Sequence, residues 1–298
     1  MSFVWLSGEF VDESSAAISL LDGGLLNGAG VFTTMRADGG RVFRLQGHLD
    51  RLRDSCNALS IPLRHDDRTL TSAVPELIAR NELSDARLRL TVTRGASAPD
   101  FDRGLMIEPT TFITAGKLEP YPREFYDHGL TVMLLDEQKL NPYDVQAGHK
   151  TLDYFSRLAA LREANRRGAG EALWFNVHNY LQSGSISNVF LVERGKLITP
   201  PTQKEIQELG PERAVYSRSN VLPGITRGAV LDLARTDHIS VEIGAITVDR
   251  LLGADEVFLT NSIMRVMPVV RIEKHVVGQT PGEVTGRLMR MYDEAIKT

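Results

Sequence analysis

The sequence predicts an α+β protein built in two lobes, and three observations support this prediction. Strand-like and helix-like segments are mixed along the chain without the steady alternation that is typical of a doubly wound parallel sheet. The chain of 298 residues is long enough for two domains of ordinary size. Between its two halves, the segment KLEPYPREF (Lys117 to Phe125) carries two prolines and therefore predicts a linker.

The first lobe is predicted to contain short strands around two helices. Its clearest helix lies in FRLQGHLDRLRDSCNALSI, where apolar residues recur at alternating spacings of four and three: Leu45, Leu49, Leu52, Cys56 and Leu59. This spacing predicts a helix with one buried face. The other predicted elements are a strand and turn in FVWLSGEFV, an extended segment in AAISLLDGG that enters a Gly-rich loop, a helix in LTSAVPELIARN, and strands in ARLRLTVTRG and TTFITAG.

The second lobe is predicted to mix strands and helices in the same irregular way. We expect a helix in the stretch that follows Lys150 and a run of short strands in EALWFNVHNYLQSGSISNVFLVERGKLITPP, with a turn at ERGK. The remaining predicted elements are strands in LTVMLLD, SVEIGAI and ADEVFLT, and helices in GITRGAVLDLA and GEVTGRLMRMYDEAI.

The composition is that of an ordinary globular protein and argues against several other classes. Hydrophobic residues make up 42% and charged residues 24%, and a net charge of -4 gives no basic surface for nucleic acid. No apolar run reaches the roughly 20 residues that span a bilayer, and MSFVWLSGEF lacks the segments of a signal peptide. With Cys56 as the single cysteine, we expect a cytoplasmic protein that binds a small molecule. The seven histidines show no metal-ligand spacing, so no metal is expected.

Lys150 lies at an unusual place, in NPYDVQAGHKTLDYFSRLAALREA, where a loop leads into the predicted helix. The positive end of the helix dipole disfavours an ammonium group there by about 0.3 to 1 kcal/mol. Lys150 is therefore either an ordinary surface charge, as most lysines are, or a lysine that loses its proton to react with an aldehyde.

Two further features are compatible with a phosphate site. In LPGITRGAV, Gly224 precedes a predicted helix start, which presents backbone N–H groups at the positive end of the dipole. Arg51 lies on the predicted helix of the first lobe, and arginine is the preferred side chain for holding a phosphate. Taken one at a time, each is more often a plain helix start or a solvated surface arginine. Together with Lys150, they would form a pyridoxal phosphate site.

Several motifs in order resemble one family, the class IV aminotransferases of pyridoxal phosphate fold type IV. They are DGGLLNGAGVFTTMR, HLDRL, AGHKTLDYF, EALWFN with NYLQSGSISNVFLV, LPGITR and EVFLTNSIMRVMPVV. The resemblance covers nearly the whole chain. It implies a small α/β domain over residues 1–117, a linker over 118–125 and a larger pseudo-barrel domain over 126–298 that binds pyridoxal 5'-phosphate. The family usually forms homodimers.

The resemblance also implies roles for individual residues. Lys150 looks like the lysine that forms the Schiff base and acts as general acid and base. The phosphate group would be held by four groups: the Arg51 side chain, the backbone amides of Ile225 and Thr226, and the hydroxyl of Ser262. Tyr154 resembles a tyrosine near the cofactor's phenolic oxygen, and Leu222 a leucine that packs on its ring.

Within the family, the sequence leans towards 4-amino-4-deoxychorismate lyase. Thr33 stands where branched-chain aminotransferases carry glutamate and is a candidate substrate-binding residue. The lysine segment and the C-terminal TNSIMRVMPVV are similar to those of the lyase. Arg103 is a candidate ligand of a substrate carboxylate. Ser183 replaces the glutamate that normally keeps the pyridine nitrogen protonated, a change that fits elimination better than transamination.

Two alternatives stay open at this point. The first is a branched-chain or D-amino acid aminotransferase. The second is a homologue that binds the cofactor without turnover. The charged segment 202–220 is longer than usual for the family and is either a lid or plain surface.

Overall fold

A computed structural model describes residues 2–96, 108–210, 215–278 and 281–297 of the chain. The chain forms two compact units. The first comprises Met1–Glu119 and His149–Asp153, and the second comprises Pro120–Gly148 and Tyr154–Thr298. The α+β class predicted from the sequence is confirmed.

The first unit is built on an antiparallel sheet. Its strands are β1 (Phe3–Leu6), β2 (Glu9–Asp12), β3 (Gly30–Asp38), β4 (Arg41–Val42), β5 (Ala86–Thr93) and β6 (Thr111–Lys117). Its helices are α1 (Gly23–Asn27), α2 (Leu45–Ala58) and α3 (Asp67–Arg80). Among the described residues, six strands lie in the order β2-β1-β6-β5-β3-β4. Helix α2 packs on β3, and α3 packs on β1 and β6.

The predicted apolar stripe of α2 faces the core of the first unit. Leu49, Leu52 and Cys56 are buried, while Leu45 and Leu59 are partly buried against the same cluster. The prediction of a helix with one buried face is therefore confirmed. The stripe fixes the rotation of α2, which matters because Arg51 and His48 lie on the same helix.

Helix α1 replaces part of the extended segment and loop that the sequence predicts. Its N-cap is Asp22, which is fully buried and accepts a hydrogen bond of 2.7 Å from the Gly24 backbone N–H. The same carboxylate accepts from the hydroxyls of Thr93, at 2.7 Å, and Thr110, at 2.8 Å. These partners come from β5 and the segment before β6, so local sequence could not indicate them.

The second unit is built on a mixed sheet. Its strands are β7 (Leu130–Leu140), β8 (Glu171–Asn176), β9 (Leu181–Gly184), β10 (Asn188–Glu193), β11 (Lys196–Thr199), β12 (Val241–Ile243), β13 (Glu256–Asn261), β14 (Arg265–Ile272) and β15 (His275–Val276). Its helices are α4 (Arg123–His128), α5 (Phe155–Arg166), α6 (Gln203–Leu209), α7 (Ile225–Thr236), α8 (Val248–Leu252) and α9 (Glu283–Ala295).

The sheet of the second unit follows the order β12-β11-β10-β13-β14-β7-β8-β9, with β15 paired to β14. Three neighbouring pairs are parallel, namely β11 with β12, β14 with β7, and β7 with β8. The turn predicted at ERGK joins β10 to β11, and both Arg194 and Gly195 adopt positive φ angles, 51° and 74°. Two positive φ angles are what a tight hairpin turn of this length requires. Helix α5 packs on β7 and β8, and α7 packs on α9.

Residues 149–153 belong to the first unit, although the sequence assigned them to the domain over 126–298. The reason is backbone pairing with β3. Phe32 N–H donates to the Lys150 carbonyl and Leu152 N–H donates to the Gly30 carbonyl, both at 2.9 Å. The first change of unit, between Glu119 and Pro120, falls inside the predicted linker. Over the described ranges, no helix is long and apolar enough to cross a membrane.

Candidate functional site

Lys150 lies in the first unit, directly before the β-bridge residue Thr151, and not at the start of a helix. Thr151 pairs with Val31 of β3, and α5 begins only at Phe155. The expectation that a helix dipole acts on Lys150 is therefore wrong. The Lys150 side chain is half-buried, and its Nζ lies 4.6 Å from the centre of the Phe32 ring, a cation–π contact. Hydrogen bonds from the Phe32 N–H to the Lys150 carbonyl and from the Leu152 N–H to the Gly30 carbonyl hold the main chain of this segment against β3.

Arg51, Thr33 and His48 form a hydrogen-bonded cluster in the first unit. Arg51 Nη2 donates to Thr33 Oγ1 at 2.9 Å, and the same oxygen lies 2.8 Å from His48 Nδ1. Thr33 is fully buried, so its hydroxyl serves this cluster. Arg51 is half-buried.

His48 is a neutral member of this cluster that sequence reasoning missed. Its side chain is only 2% exposed, and this burial lowers the pKa of His48 well below its ordinary value. The positive charges of Arg51 and Lys150 lower the pKa of His48 further. The available signal was its position directly beside Leu49 in the apolar stripe of α2.

His149 connects the lysine segment to α2. Its Nδ1 lies 3.0 Å from the hydroxyl oxygen of Ser55, which is buried on α2. Burial lowers the pKa of His149, while the charge of Asp54 acts in the opposite direction. The residue before Lys150 is thus held to the helix that carries Arg51.

In the second unit, the segment around Ser183 is surrounded by polar contacts. Ser183 is 5% exposed and pairs with Trp174 across the β8–β9 hairpin. Arg157 Nη1 donates to Ser183 Oγ at 3.3 Å. The hydroxyl of Tyr154 donates to the Ser185 carbonyl at 3.2 Å, and Trp174 Nε1 donates to Ser185 Oγ at 2.9 Å. Side chains from α5 and its N-cap therefore fix the groups around Ser183.

A buried carboxyl group, Glu171, organises the same segment from the other side. It accepts from the backbone N–H groups of Ala172, Ser185 and Ile186 at 3.0, 2.9 and 3.2 Å, and from the Ser187 hydroxyl at 2.9 Å. Burial raises the pKa of Glu171, and these hydrogen bonds oppose the rise. The sequence showed only an acidic residue at the start of an otherwise apolar strand.

Gly184 is required by the close approach of Glu171. A Cβ at this position would lie 2.8 Å from the Glu171 carboxyl carbon and would collide with Ser187 Oγ. Any side chain at position 184 would therefore displace the carboxyl group that holds the segment.

Helix α7 begins at Ile225 with a backbone arrangement suited to an anion. Among the described residues, no side chain forms a capping hydrogen bond at its N-cap, Gly224. A Cβ on Gly224 would collide with Asn188 Oδ1, whose amide Nδ2 donates to the Leu222 carbonyl at 3.0 Å. Thr226 is buried, with its hydroxyl oxygen 3.3 Å from that of Tyr292. A helix start without a side-chain cap is the kind of backbone arrangement that can bind an anion.

Ser262 lies in the turn between β13 and β14. The turn is shaped by Asn261, whose Oδ1 accepts from the backbone N–H groups of Ile263 at 2.9 Å and Met264 at 2.7 Å. Asn261 Nδ2 donates to the Ile186 carbonyl at 3.2 Å, which connects this turn to the segment held by Glu171. Ser262 itself is half-buried.

The charged segment 202–220 is anchored at both of its described ends. Thr202 forms a capping box with Glu205 at the start of α6, and Glu205 forms an ion pair of 2.8 Å with Arg227 on α7. Ser219 N–H donates to Gln203 Oε1 at 3.1 Å. These contacts attach the described parts of the segment to the helix that begins at Ile225.

The predicted site residues fall into two groups, one in each unit. Thr33, Arg51 and Lys150 lie in the first unit, where Thr33 and Arg51 are in direct contact. The residues in the second unit are Tyr154, Ser183, Leu222, Ile225, Thr226 and Ser262. Arg103 lies outside the described residues. Sequence reasoning missed His48, Arg157 and Glu171, because their importance comes from contacts between distant parts of the chain.

Comparison with known proteins identifies the family. The model of the family described as "Amino-transferase class IV" matches residues 30–272. The chain belongs to the class IV aminotransferase family. Enzymes of this family use pyridoxal 5'-phosphate, and the chain is a pyridoxal phosphate-dependent class IV enzyme.

The class IV enzyme is similar to both aminotransferases and a lyase. It is 34% identical to the "Putative branched-chain-amino-acid aminotransferase" of Methanocaldococcus jannaschii, over 98% of this chain and 95% of that protein. It is 26% identical to the aminodeoxychorismate lyase of Bacillus subtilis, over 99% of this chain and 94% of that protein. The branched-chain amino acid aminotransferase of Escherichia coli has a similar structure, with a TM-score of 0.88, 27% identity, and coverage of 98% and 94%.

Proposed function

We propose that this class IV enzyme is a lyase that converts 4-amino-4-deoxychorismate to 4-aminobenzoate and pyruvate. The observation that carries the proposal is at position 183. The family resemblance leads us to expect a glutamate carboxylate there. The chain instead has Ser183, whose hydroxyl accepts a hydrogen bond from Arg157. The similarity to the Bacillus subtilis lyase along almost the whole chain supports the same reading.

Each unit contains groups with the chemistry that pyridoxal 5'-phosphate requires. The half-buried Arg51 guanidinium and the start of α7 are groups that bind phosphate, and Lys150 supplies the amine for the aldehyde. We assign the cofactor's aldehyde to the Lys150 amine. Its phosphate would be held by the Arg51 guanidinium, the backbone amides of Ile225 and Thr226, and the Ser262 hydroxyl. Tyr154 would lie beside the phenolic oxygen, Leu222 against the ring, and Ser183 at the ring nitrogen.

When bound, the cofactor supplies an electron sink conjugated to the substrate amine. The strength of that sink depends on whether its ring nitrogen is protonated. A serine hydroxyl can hydrogen-bond the nitrogen but cannot stabilise a positive charge on it as a carboxylate would. Ser183 therefore favours a reaction that needs a weaker sink.

Elimination of pyruvate needs only a weak electron sink, because formation of the aromatic product itself drives the reaction. The ring carbon that bears the amine loses a proton, the C–O bond to the enolpyruvyl group breaks, and the departing group takes up a proton to become pyruvate. The two products together have the composition of the substrate, so no oxidant, reductant or water is consumed. We assign the proton transfers to the Lys150 amine.

A second candidate function is amino acid transamination of the branched-chain or D-amino acid type. It is favoured by the 34% identity to the Methanocaldococcus jannaschii protein. Thr33 weighs against the branched-chain type, because that position carries glutamate in the branched-chain enzymes that the sequence resembles. A third possibility is a homologue that binds the cofactor without turnover.

One assay separates these outcomes. Pyruvate release from 4-amino-4-deoxychorismate is measured beside keto-acid formation from a panel of amino donors. We expect pyruvate release by the wild-type enzyme and its loss in Lys150→Ala, with Lys139→Ala as the matched lysine control. Borohydride reduction should attach the cofactor to Lys150. Transamination without pyruvate release, or an adduct on another lysine, would contradict the proposal.

Two residues, Thr33 and Arg103, are predicted from the sequence to contact the substrate. Thr33 was expected to face the substrate, but its hydroxyl is engaged by Arg51 and His48. We therefore propose that Thr33 acts by orienting Arg51. Arg103 is proposed as a ligand of a substrate carboxylate, and Arg103→Gln should raise KM for the chorismate substrate more than it lowers kcat. An unchanged KM would remove Arg103 from the site.

We also propose that the enzyme is a homodimer. The first unit exposes a group of large apolar side chains: Ile18, Leu20, Leu21, Leu25 and Leu26. These side chains lie close together in the sequence, and large exposed apolar patches usually mark an interface. The family resemblance implies a second copy of the chain as the partner. Light scattering should give the mass of a dimer for the wild-type protein and of a monomer for Leu21→Asp/Leu25→Asp. A monomeric wild-type protein would contradict this proposal.

A further inference from the structure

Arg157, a cationic residue of the second unit, donates hydrogen bonds to the segment that contains Ser183. Its Nη1 lies 3.3 Å from Ser183 Oγ, 3.2 Å from the Gly184 carbonyl oxygen and 3.4 Å from the Ser185 carbonyl oxygen. The guanidinium carbon also lies 5.5 Å from the centre of the Trp174 ring. All three oxygens are uncharged, so these contacts hold the guanidinium in place without neutralising its charge.

The direction of these hydrogen bonds determines what the Ser183 hydroxyl can do. An arginine side chain only donates, so Ser183 Oγ must act as acceptor towards Arg157. A serine hydroxyl has one hydrogen in addition to its acceptor lone pairs. The contact with Arg157 does not use that hydrogen, and the hydroxyl is therefore prepared to donate to a further acceptor.

The frame that carries Ser183 is rigid enough to keep this orientation. Ser183 is paired with Trp174 in the β8–β9 hairpin, and the residues that follow it are bound to the buried Glu171. Gly184 allows Glu171 to approach the segment closely. With its hydrogen directed in this way, the Ser183 hydroxyl can form a hydrogen bond with an acceptor placed opposite it but not with another donor.

We infer that Arg157 is a positioning residue that turns the Ser183 hydroxyl into a donor and keeps the cofactor's ring nitrogen unprotonated. The inference rests on the proposed function, which assigns Ser183 to that nitrogen. An unprotonated pyridine nitrogen accepts a hydrogen bond, whereas a pyridinium donates one and would face the hydroxyl as a second donor. The positive charge of Arg157 disfavours a second positive charge nearby. Both effects act in the same direction.

Reaction type then depends on the pair Arg157 and Ser183 and not on Ser183 alone. A glutamate at position 183 would lie within reach of the Arg157 guanidinium, and the two would form an ion pair. Ser183→Glu alone should therefore leave the ring nitrogen only partly protonated. Ser183→Glu/Arg157→Gln should protonate it fully, because the carboxylate would then have no competing cation on α5.

The experiment uses the holoenzyme reconstituted with pyridoxal 5'-phosphate labelled with ¹⁵N in its ring. The ¹⁵N resonance reports whether the ring nitrogen is protonated and does not depend on turnover. Wild-type enzyme near neutral pH should give the unprotonated resonance. Arg157→Gln should move the titration of the ring nitrogen upwards by about 1 to 3 pH units, and Arg157→Lys, which keeps the charge, should recover part of the wild-type behaviour. Arg162→Gln, an exposed arginine on the same helix, is the matched control.

The outcomes separate this inference from the function on which it rests. Wild-type protein that does not retain the cofactor, or carries it on a lysine other than Lys150, overturns both. Cofactor on Lys150 with a protonated ring nitrogen in the wild-type enzyme overturns the inference alone, and this measurement requires no variant to fold. A ring nitrogen that titrates identically in wild type, Arg157→Gln and Arg162→Gln also overturns the inference while leaving the proposed function intact.

Discussion

The two units of the molecule present their polar groups in different ways. The first unit uses cationic side chains, Arg51 and Lys150, around a buried neutral histidine, His48. The second unit uses hydroxyls and backbone groups that are held by a buried carboxyl group, Glu171, and by Arg157. The first arrangement depends on individual side chains, and the second depends on the shape of a chain segment. Substitutions should therefore affect ligand binding in the first unit and folding of the segment in the second.

The largest effect is expected where Glu171 is removed. Glu171→Ala would leave buried N–H groups at residues 172, 185 and 186 without their acceptor, so the free energy of unfolding should fall by about 3 kcal/mol or more. Urea unfolding monitored by fluorescence would measure the change. Glu163→Ala, which removes a surface carboxylate paired with Arg166, should have a far smaller effect. Equal stability of the two variants would mean that the second unit does not depend on its buried carboxyl group.

The next effect concerns cofactor affinity in the first unit. Arg51→Ala removes a cation that we assign to the phosphate, a charged hydrogen bond worth about 1.5 to 3 kcal/mol. The dissociation constant should rise by roughly 10- to 100-fold, measured by absorbance titration of the apoenzyme. The control is Arg53→Ala on the same helix, because Arg53 pairs with Asp67 instead. If the Arg51→Ala and Arg53→Ala variants both retain the cofactor on dialysis as well as wild type does, Arg51 does not bind the phosphate. Its role would then be limited to the hydrogen bond with Thr33.

The smallest effect is a pH dependence that arises from His48. Burial, together with the charges of Arg51 and Lys150, lowers the pKa of His48 in the folded protein. In the unfolded chain, a histidine has a pKa of about 6.5. The unfolded state therefore binds more protons as the pH falls below about 6.5, and the contribution of His48 to stability is complete above that pH and declines below it.

His48→Gln should remove this contribution. Between about pH 7.5 and 5.5, the free energy of unfolding should fall by about 1 kcal/mol less in His48→Gln than in wild type. Denaturant titrations at the two pH values would measure the difference, and the exposed His128→Gln should follow the wild type. An identical pH response of His48→Gln and wild type would show that His48 is not held neutral by the cluster.

Sequence reasoning determined the features that are encoded locally. The α+β class, the buried stripe of α2 and the hairpin turn at Arg194 and Gly195 follow from periodicity and turn chemistry, which act over a few residues. The helix start at Ile225 was likewise visible in GITR. The resemblance of several motifs in order then led to the family, which the family match confirms.

Only the tertiary structure decided how Lys150, Arg157 and Glu171 are used. Lys150 was expected at a helix start, but its carbonyl accepts from the Phe32 N–H of β3, and the residue lies in the first unit. Arg157 looked like one more helix arginine, and Glu171 like the polar end of a strand. Their partners, Ser183 and the segment after it, are 14 to 28 residues away along the chain. A contact between distant residues depends on how strands and helices pack, and no local pattern in a single sequence carries that information.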